Sequence, residues 1–270
     1  MLVDFVSSLM RIAVRGTPPV LHLFGEPFVT IGHRRMEVPE GSKRLLVFVA
    51  LHRCPVDRRH AAGELWPDCD DARASGNLRS ALWRLNGTGM ALLDADKFTL
   101  AIENQLVIDM DVVGEWAARL IDGCAVQADL AVKPWGADAL ELLPGWYDDW
   151  ALLERERMRQ RLLHALEAQS RQLVLAGRCA EAVEAAMVAV GADPLRESAQ
   201  RVLIESHLAE GNQIEARRSY ETYRRLLHRE VGADPDGALA CLVSPPVRPD
   251  SQRDAQLNGS DNRTRSTIDA

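Results

Sequence analysis

The sequence predicts a mainly α protein with a small β part, arranged as two folded units with an extra segment at each end. Three observations carry this. At 270 residues the chain is about twice the usual length of one domain. Residues 20–107 mix short β-type runs with helical periodicity, whereas 108–243 follow a helical pattern almost throughout. Residues 244–270 are poor in large apolar side chains and rich in Ser, Asp, Asn and Arg, the composition of a disordered tail, and 1–19 read as an N-terminal extension.

In the first unit, residues 21–24 and 28–31 flank the turn Gly25-Glu26-Pro27, and Gly32-His33 reverses the chain again before Met36-Glu37-Val38, which gives a small antiparallel sheet. Leu45, Leu46, Val49 and Ala50 then recur at helical spacing behind a capping Ser42. This helix ends at Cys54-Pro55, because the residue before proline is pushed out of helical geometry. Asp57 is a good N-cap for a second helix over 58–66, stopped by Pro67. A third helix spans 72–85 and ends at Asn86-Gly87. Leu92-Leu93, a turn over 94–97 and Phe98-Thr99-Leu100 form a hairpin. Sheet, three helices and terminal hairpin, in that order, make a winged helix-turn-helix.

The third helix has two chemically distinct faces. At 100° per residue, Ala74, Leu78, Ala81, Leu82 and Leu85 share one side, and Arg73, Asn77, Ser80 and Arg84 the other. Arg, Asn and Ser carry the donors needed for phosphate oxygens and purine edges in a major groove. The same pattern is also that of an ordinary solvated helix face. Trp83 lies at the boundary, where it either packs beneath the neighbouring strand or touches DNA, and core packing is the expected role.

These residues carry a resemblance. Residues 73–85, Arg-Ala-Ser-Gly-Asn-Leu-Arg-Ser-Ala-Leu-Trp-Arg-Leu, preceded by Glu64-Leu65-Trp66-Pro67-Asp68, resemble the DNA-binding domain of the SARP-type antibiotic regulatory activators of actinomycetes. The resemblance implies that the third helix enters the major groove and that the hairpin is a wing. The implied DNA-binding set is Arg73, Asn77, Arg79, Ser80 and Arg84, with Lys97 on a backbone phosphate near the minor groove. Two departures imply modest affinity for a single copy. Asn86-Gly87 stands where relatives continue with basic residues, and Gly76 weakens the helix by about 1 kcal/mol relative to alanine. Asp68, Asp70 and Asp71 precede the third helix; in winged helices this loop can face RNA polymerase, and the residues read equally as acids favouring a helix N-terminus.

The second unit opens with a helix over 109–121. The segment Leu142-Leu143-Pro144-Gly145-Trp146-Tyr147-Asp148-Asp149-Trp150 leads into a long helix over 151–175. Gly177-x-x-x-Glu181-Ala182 recurs as Gly211-x-x-x-Glu215-Ala216, the 34-residue period of tetratricopeptide repeats. Asp193-Pro194 and Asp234-Pro235 are expected to end the second helix of each copy. Residues 142–158, with Glu-Arg-Glu-Arg after the aromatic run, resemble the bacterial transcriptional activator domain that follows the winged helix in the same regulators. No P-loop follows, as expected of a short form without an ATPase module. Trp146, Tyr147 and Trp150 are candidates for packing between the units or for a ligand cage. Arg155, Arg157, Arg159 and Arg161, interleaved with Glu154 and Glu156, read as a solvated, salt-bridged face.

Charge follows the same division. The net charge is −7, but 1–107 hold 13 basic and 12 acidic residues, and 108–243 hold 15 and 23. The acidity belongs to the helical unit, and the reading head is near neutral, with 8 basic against 5 acidic side chains over 41–85. The five scattered cysteines form no Cys-x-x-Cys, and the histidines show no metal-ligand spacing, so reduced thiols, a cytoplasmic setting and neither metal nor cofactor are expected. No nucleophile elbow or carboxylate pair marks an enzyme, and no segment has the pattern of a membrane span. The expected function is a sequence-specific transcriptional activator. Its expected partners are double-stranded DNA and, by resemblance, promoter repeats and RNA polymerase, with a homodimer as one arrangement. The rival reading is a tetratricopeptide-like adaptor whose winged helix no longer binds DNA.

Overall fold

The structure, a computed structural model, describes Leu9 and residues 18–32, 34–131 and 141–244. Most of the N-terminal extension, the turn residue His33 and the tail beyond Ser244 lie outside the described residues.

Strands β1 (Val20–His22), β2 (Phe28–Ile31) and β3 (Arg34–Met36) form an antiparallel meander. β3 begins two residues earlier than its apolar pattern predicts, because Gly32 at φ 61 tightens the reversal. An even shift leaves each side chain on its expected face. Helices α1 (Glu40–His52), α2 (Arg58–Leu65) and α3 (Asp71–Asn86) follow.

Helix α1 is buried continuously from Leu45 to Leu51, the pattern of a helix covered on all sides. It does not start at Ser42. Pro39 precedes its first turn, Glu40 supplies the first-turn acid, and Ser42 is buried with its Oγ donating to the Ala81 carbonyl at 2.9 Å. Asp57 caps α2 as expected, accepting from the Arg59 and His60 amides at 2.8 and 3.0 Å. At the end of α3, Gly87 stays right-handed at φ −64, and the left-handed glycine is Gly89 at φ 72.

The wing is a three-stranded sheet in the order β4 (Val56–Asp57), β6 (Thr99–Ile102), β5 (Leu93–Ala95). A further strand, β7 (Val107–Ile108), returns to the first sheet and pairs in parallel with β1. Nothing in the sequence pattern announced it.

The helical half runs α4 (Asp109–Ile121), α5 (Asp149–Leu175), α6 (Cys179–Ala192), α7 (Glu197–Ala209), α8 (Gln213–Val231) and α9 (Gly237–Val243). The 34-residue correspondence is physical: Gly177 and Gly211 turn the chain at φ 75 and 84, and Ala182 and Ala216 are fully buried where consecutive helices approach. Helix α8 stops earlier than expected, at Gly232 with φ 74, so Asp234-Pro235 lies outside it. The fold is mainly α with a small β part: a winged helix followed by a helical-hairpin array.

One continuous buried cluster runs from Leu21 in β1 through α1 and α5 to Ala199 in α7. Polar contacts reinforce this junction. The buried Asp109 carboxylate, in the first turn of α4, accepts from the Leu23 amide at 3.0 Å through both oxygens. Phe24 bridges to Leu142, and the Leu143 amide donates to the Leu23 carbonyl at 2.9 Å. Arg155 departs from the solvated face expected of it: its guanidinium donates to the carbonyls of Leu142, Leu143 and Trp146, folding the segment before α5 onto that helix.

Candidate nucleic-acid interface

Helix α3 buries Ala74, Leu78, Ala81, Leu82 and Leu85, as its periodicity predicts. The centre of its outward face, opposite that set, falls on Gly76 and Trp83, with Arg79 on one flank and Ser80 and Arg73 on the other. Arg73, Arg79 and Ser80 are exposed, and among the described residues neither Arg73 nor Arg79 is paired with an acid. Trp83 is 77% exposed, which corrects the expectation that it packs beneath a strand.

Asn77 and Arg84 sit at the edge of this face, and they and Ser80 already have partners. The half-buried Asn77 directs its amide to Cys69 Sγ at 3.9 Å. Ser80 Oγ donates back to the Gly76 carbonyl at 3.1 Å. Arg84 Nη2 donates to the Gly41 carbonyl at 3.0 Å, so this arginine reaches across to the first turn of α1.

The exposed Lys97 stands at the wing tip beside Phe98, which is 65% exposed, with Nζ 5.3 Å from the ring centroid. Asp96 fixes this tip by accepting from the Phe98 and Thr99 amides, both at 2.6 Å. Those two amides hold its carboxyl below the usual aspartate range. The start of α2 anchors the tip from the other side, since the Arg58 amide donates to the Phe98 carbonyl and its guanidinium to the Asp96 carbonyl.

Before α3, Asp70 is the N-cap and accepts from the Arg73 amide at 2.8 Å, while Asp71 lies in the first turn. Asp68, Asp70 and Asp71 are all exposed. Trp146 and Trp150 pack edge-on with centroids 6.2 Å apart, and Trp150 meets Phe48 of α1. Tyr147 takes no part in that stack and is 81% exposed.

A cavity of about 660 Å³ opens between the wing sheet and α4, lined by Arg53, Glu103, Asp111, Glu115 and Arg161 over an apolar floor that includes Val49 and Leu106. Arg53 Nε lies 3.0 Å from Asp111 across it. Burial pushes the Asp111 carboxyl up, against the pull of Arg53. Among the described residues all five cysteines are free, no cluster of His, Cys, Asp or Glu is placed to hold a metal, and no helix is long and apolar enough to cross a membrane.

Sequence reasoning missed the exposure of Trp83 and Phe98 and the anchoring role of Asp109. Trp83 was legible in principle, because a 100° rotation puts it opposite Ala81 and Leu85. Asp109 was not, since its partners lie 85 and 86 residues away.

Comparisons with known proteins agree with this architecture. Residues 114–244 match the model of the bacterial transcriptional activator domain. The regulatory protein AfsR of Streptomyces griseus is 28% identical over 209 residues, which cover 72% of this chain and 21% of the relative. The chain therefore spans about a fifth of that curated relative's length. Mycobacterium tuberculosis EmbR, solved in complex with a low-affinity phosphopeptide, shares the fold with a TM-score of 0.59 at 18% identity, covering 84% of this chain and 64% of that one. With a winged helix, the motifs of its third helix and a matching activator domain behind it, the chain is similar to the SARP-type transcriptional regulators in both halves.

Proposed function

We propose that the chain regulates transcription by sequence-specific binding of double-stranded DNA, with α3 in the major groove and the wing tip on the backbone. The observation that carries this reading is the outward face of α3, where Arg73 and Arg79 stand without acid partners among the described residues, on a helix whose opposite face is locked into the core. Guanidinium groups in that position suit phosphates along the groove walls. Asn77, Ser80 and Arg84 flank them, and Lys97 supplies the wing contact. Gly76 and the partners of Asn77 and Arg84 imply modest affinity for one copy. Binding adjacent promoter repeats offsets this, since a second linked copy acts at high effective concentration. Asp68, Asp70 and Asp71 are the exposed acids through which the bound protein would meet RNA polymerase. The activity is an activator's, exerted in the cytoplasm, and it requires no chemistry on a substrate.

Selection of binding sites from a random duplex pool with the full chain tests this. Enrichment of one motif, and footprints of that motif upstream of genes whose transcripts fall when the chain is deleted, are the expected results. An unenriched pool contradicts the reading and favours an adaptor role for the helical half.

A further inference from the structure

We propose that Trp83 is a base-reading residue that recognises thymine by packing its indole on the 5-methyl group in the major groove. The proposal rests on the DNA-binding reading above and names a determinant of its specificity.

Single exposed apolar side chains are common on protein surfaces and by themselves mean little. Trp83 differs in its place and its neighbours. It lies with Gly76 at the centre of the outward face of α3, and its side chain is 77% exposed there. The polar residues around it are occupied: Ser80 Oγ on the Gly76 carbonyl, Asn77 on Cys69, and Arg84 on the Gly41 carbonyl. Among the described residues the large side chains of this face that have no such contact are the indole and the two guanidiniums, Arg73 and Arg79, neither of which is paired with an acid.

An apolar plate on a helix face that also carries two cations matches one surface well. A major groove has anionic walls, and on its floor thymine alone among the four bases presents a methyl group. Gly76, two turns before Trp83 on the same line, has only the Arg79 side chain within 4 Å of where a Cβ would stand, at 3.8 Å. Its missing side chain lets the helix backbone approach closely, which brings the indole down to the base edges.

The test is site selection from random duplexes with the full-length wild type, W83A and W83F, followed by titration of the selected site with thymine replaced by uracil one position at a time. The wild type is expected to select a thymine at one or more positions, and W83A to lose that preference. Removing the methyl is expected to weaken wild-type binding about three- to tenfold, the size of one buried methyl group, and to leave W83A unaffected. W83F, which keeps an apolar plate, is expected to keep part of the preference. Matching thermal unfolding of the variants shows that they are folded. A wild type that selects nothing overturns both this proposal and the reading beneath it. A wild type and W83A that select the same motif, or equal sensitivity of the two to uracil, overturn this proposal alone and point to a protein partner for Trp83.

Discussion

The indole of Trp150 meets the ring of Phe48 edge-on, with centroids 5.3 Å apart. Phe48 belongs to the winged helix and Trp150 to the first long helix of the activator domain, so this pair joins the two halves through their shared core. Among the described residues the buried Trp150 Nε1 has no hydrogen-bond partner, so replacing the indole by a phenyl ring breaks no bond within them. W150F is expected to stay within about 1 kcal/mol of the wild type, and W150A to lose about 2–4 kcal/mol. Urea denaturation of the full chain measures both. Equal losses for the two variants would show that the ring contact does not hold the junction.

Arg84 and Arg79 are neighbouring arginines on α3 with different expected phenotypes. Arg84 donates to the Gly41 carbonyl and is part of the fold, so R84A is expected to lower stability by about 1 kcal/mol, while R79A stays within about 0.5 kcal/mol of the wild type. Gly41→Ala would put a methyl 3.1 Å from Arg84 Nη2 and displace the same contact. G41A is therefore expected to cost less in an R84A background than in the wild type, which a double-mutant cycle resolves.

The buried Asp129 sets a pH dependence. Burial pushes its carboxyl up, but Arg119 donates to it at 2.8 and 3.0 Å and the Val126 amide at 3.0 Å, and together these hold it below the ordinary 3.8. A carboxyl depressed in the folded state contributes stability fully above its unfolded value, and that contribution fades as pH falls through the folded value. D129N is expected to be about 2 kcal/mol less stable than the wild type at pH 7, with the gap closing below about pH 4. Chemical denaturation at pH 7, 4 and 3 reads this directly, and a gap independent of pH would contradict it.

Gly177 and Gly211 end corresponding helices at φ 75 and 84 with open space around them, so alanine there meets no neighbour and is opposed by backbone conformation alone. G177A and G211A are each expected to cost about 1–2 kcal/mol, whereas G191A, inside α6 and without positive φ, is expected to stabilise slightly. Thermal unfolding of the three variants distinguishes backbone strain from packing.

These glycines also show what the sequence makes legible. Local signals were sufficient wherever their partners are local: the Asp57 cap, the core stripe of α3, the wing turn and the 34-residue spacing follow from neighbours a few residues apart. Signals failed where the partner is remote. Ser42 has a capping residue's chemistry, but its hydroxyl serves Ala81, 39 residues on. Strand β7 is two residues long and acquires its identity from β1, and Arg155 reads as one of four alternating surface arginines until the Leu142 and Trp146 carbonyls are placed beside it. At the candidate interface, residue types pointed to Arg73 and Arg79, while the rotation of α3 in the fold moved its centre from Asn77 and Arg84 toward Trp83.

The central claim is that the outward face of α3 binds DNA, and the salt dependence of binding tests it most directly. For the wild type, Arg73→Ala and Arg79→Ala, the logarithm of the association constant on a selected duplex is plotted against the logarithm of salt concentration. The wild type is expected to give a steep negative line, and each variant a slope shallower by about 1, the loss of one phosphate contact. A wild-type line without slope, or two variants that run parallel to it, would contradict the claim.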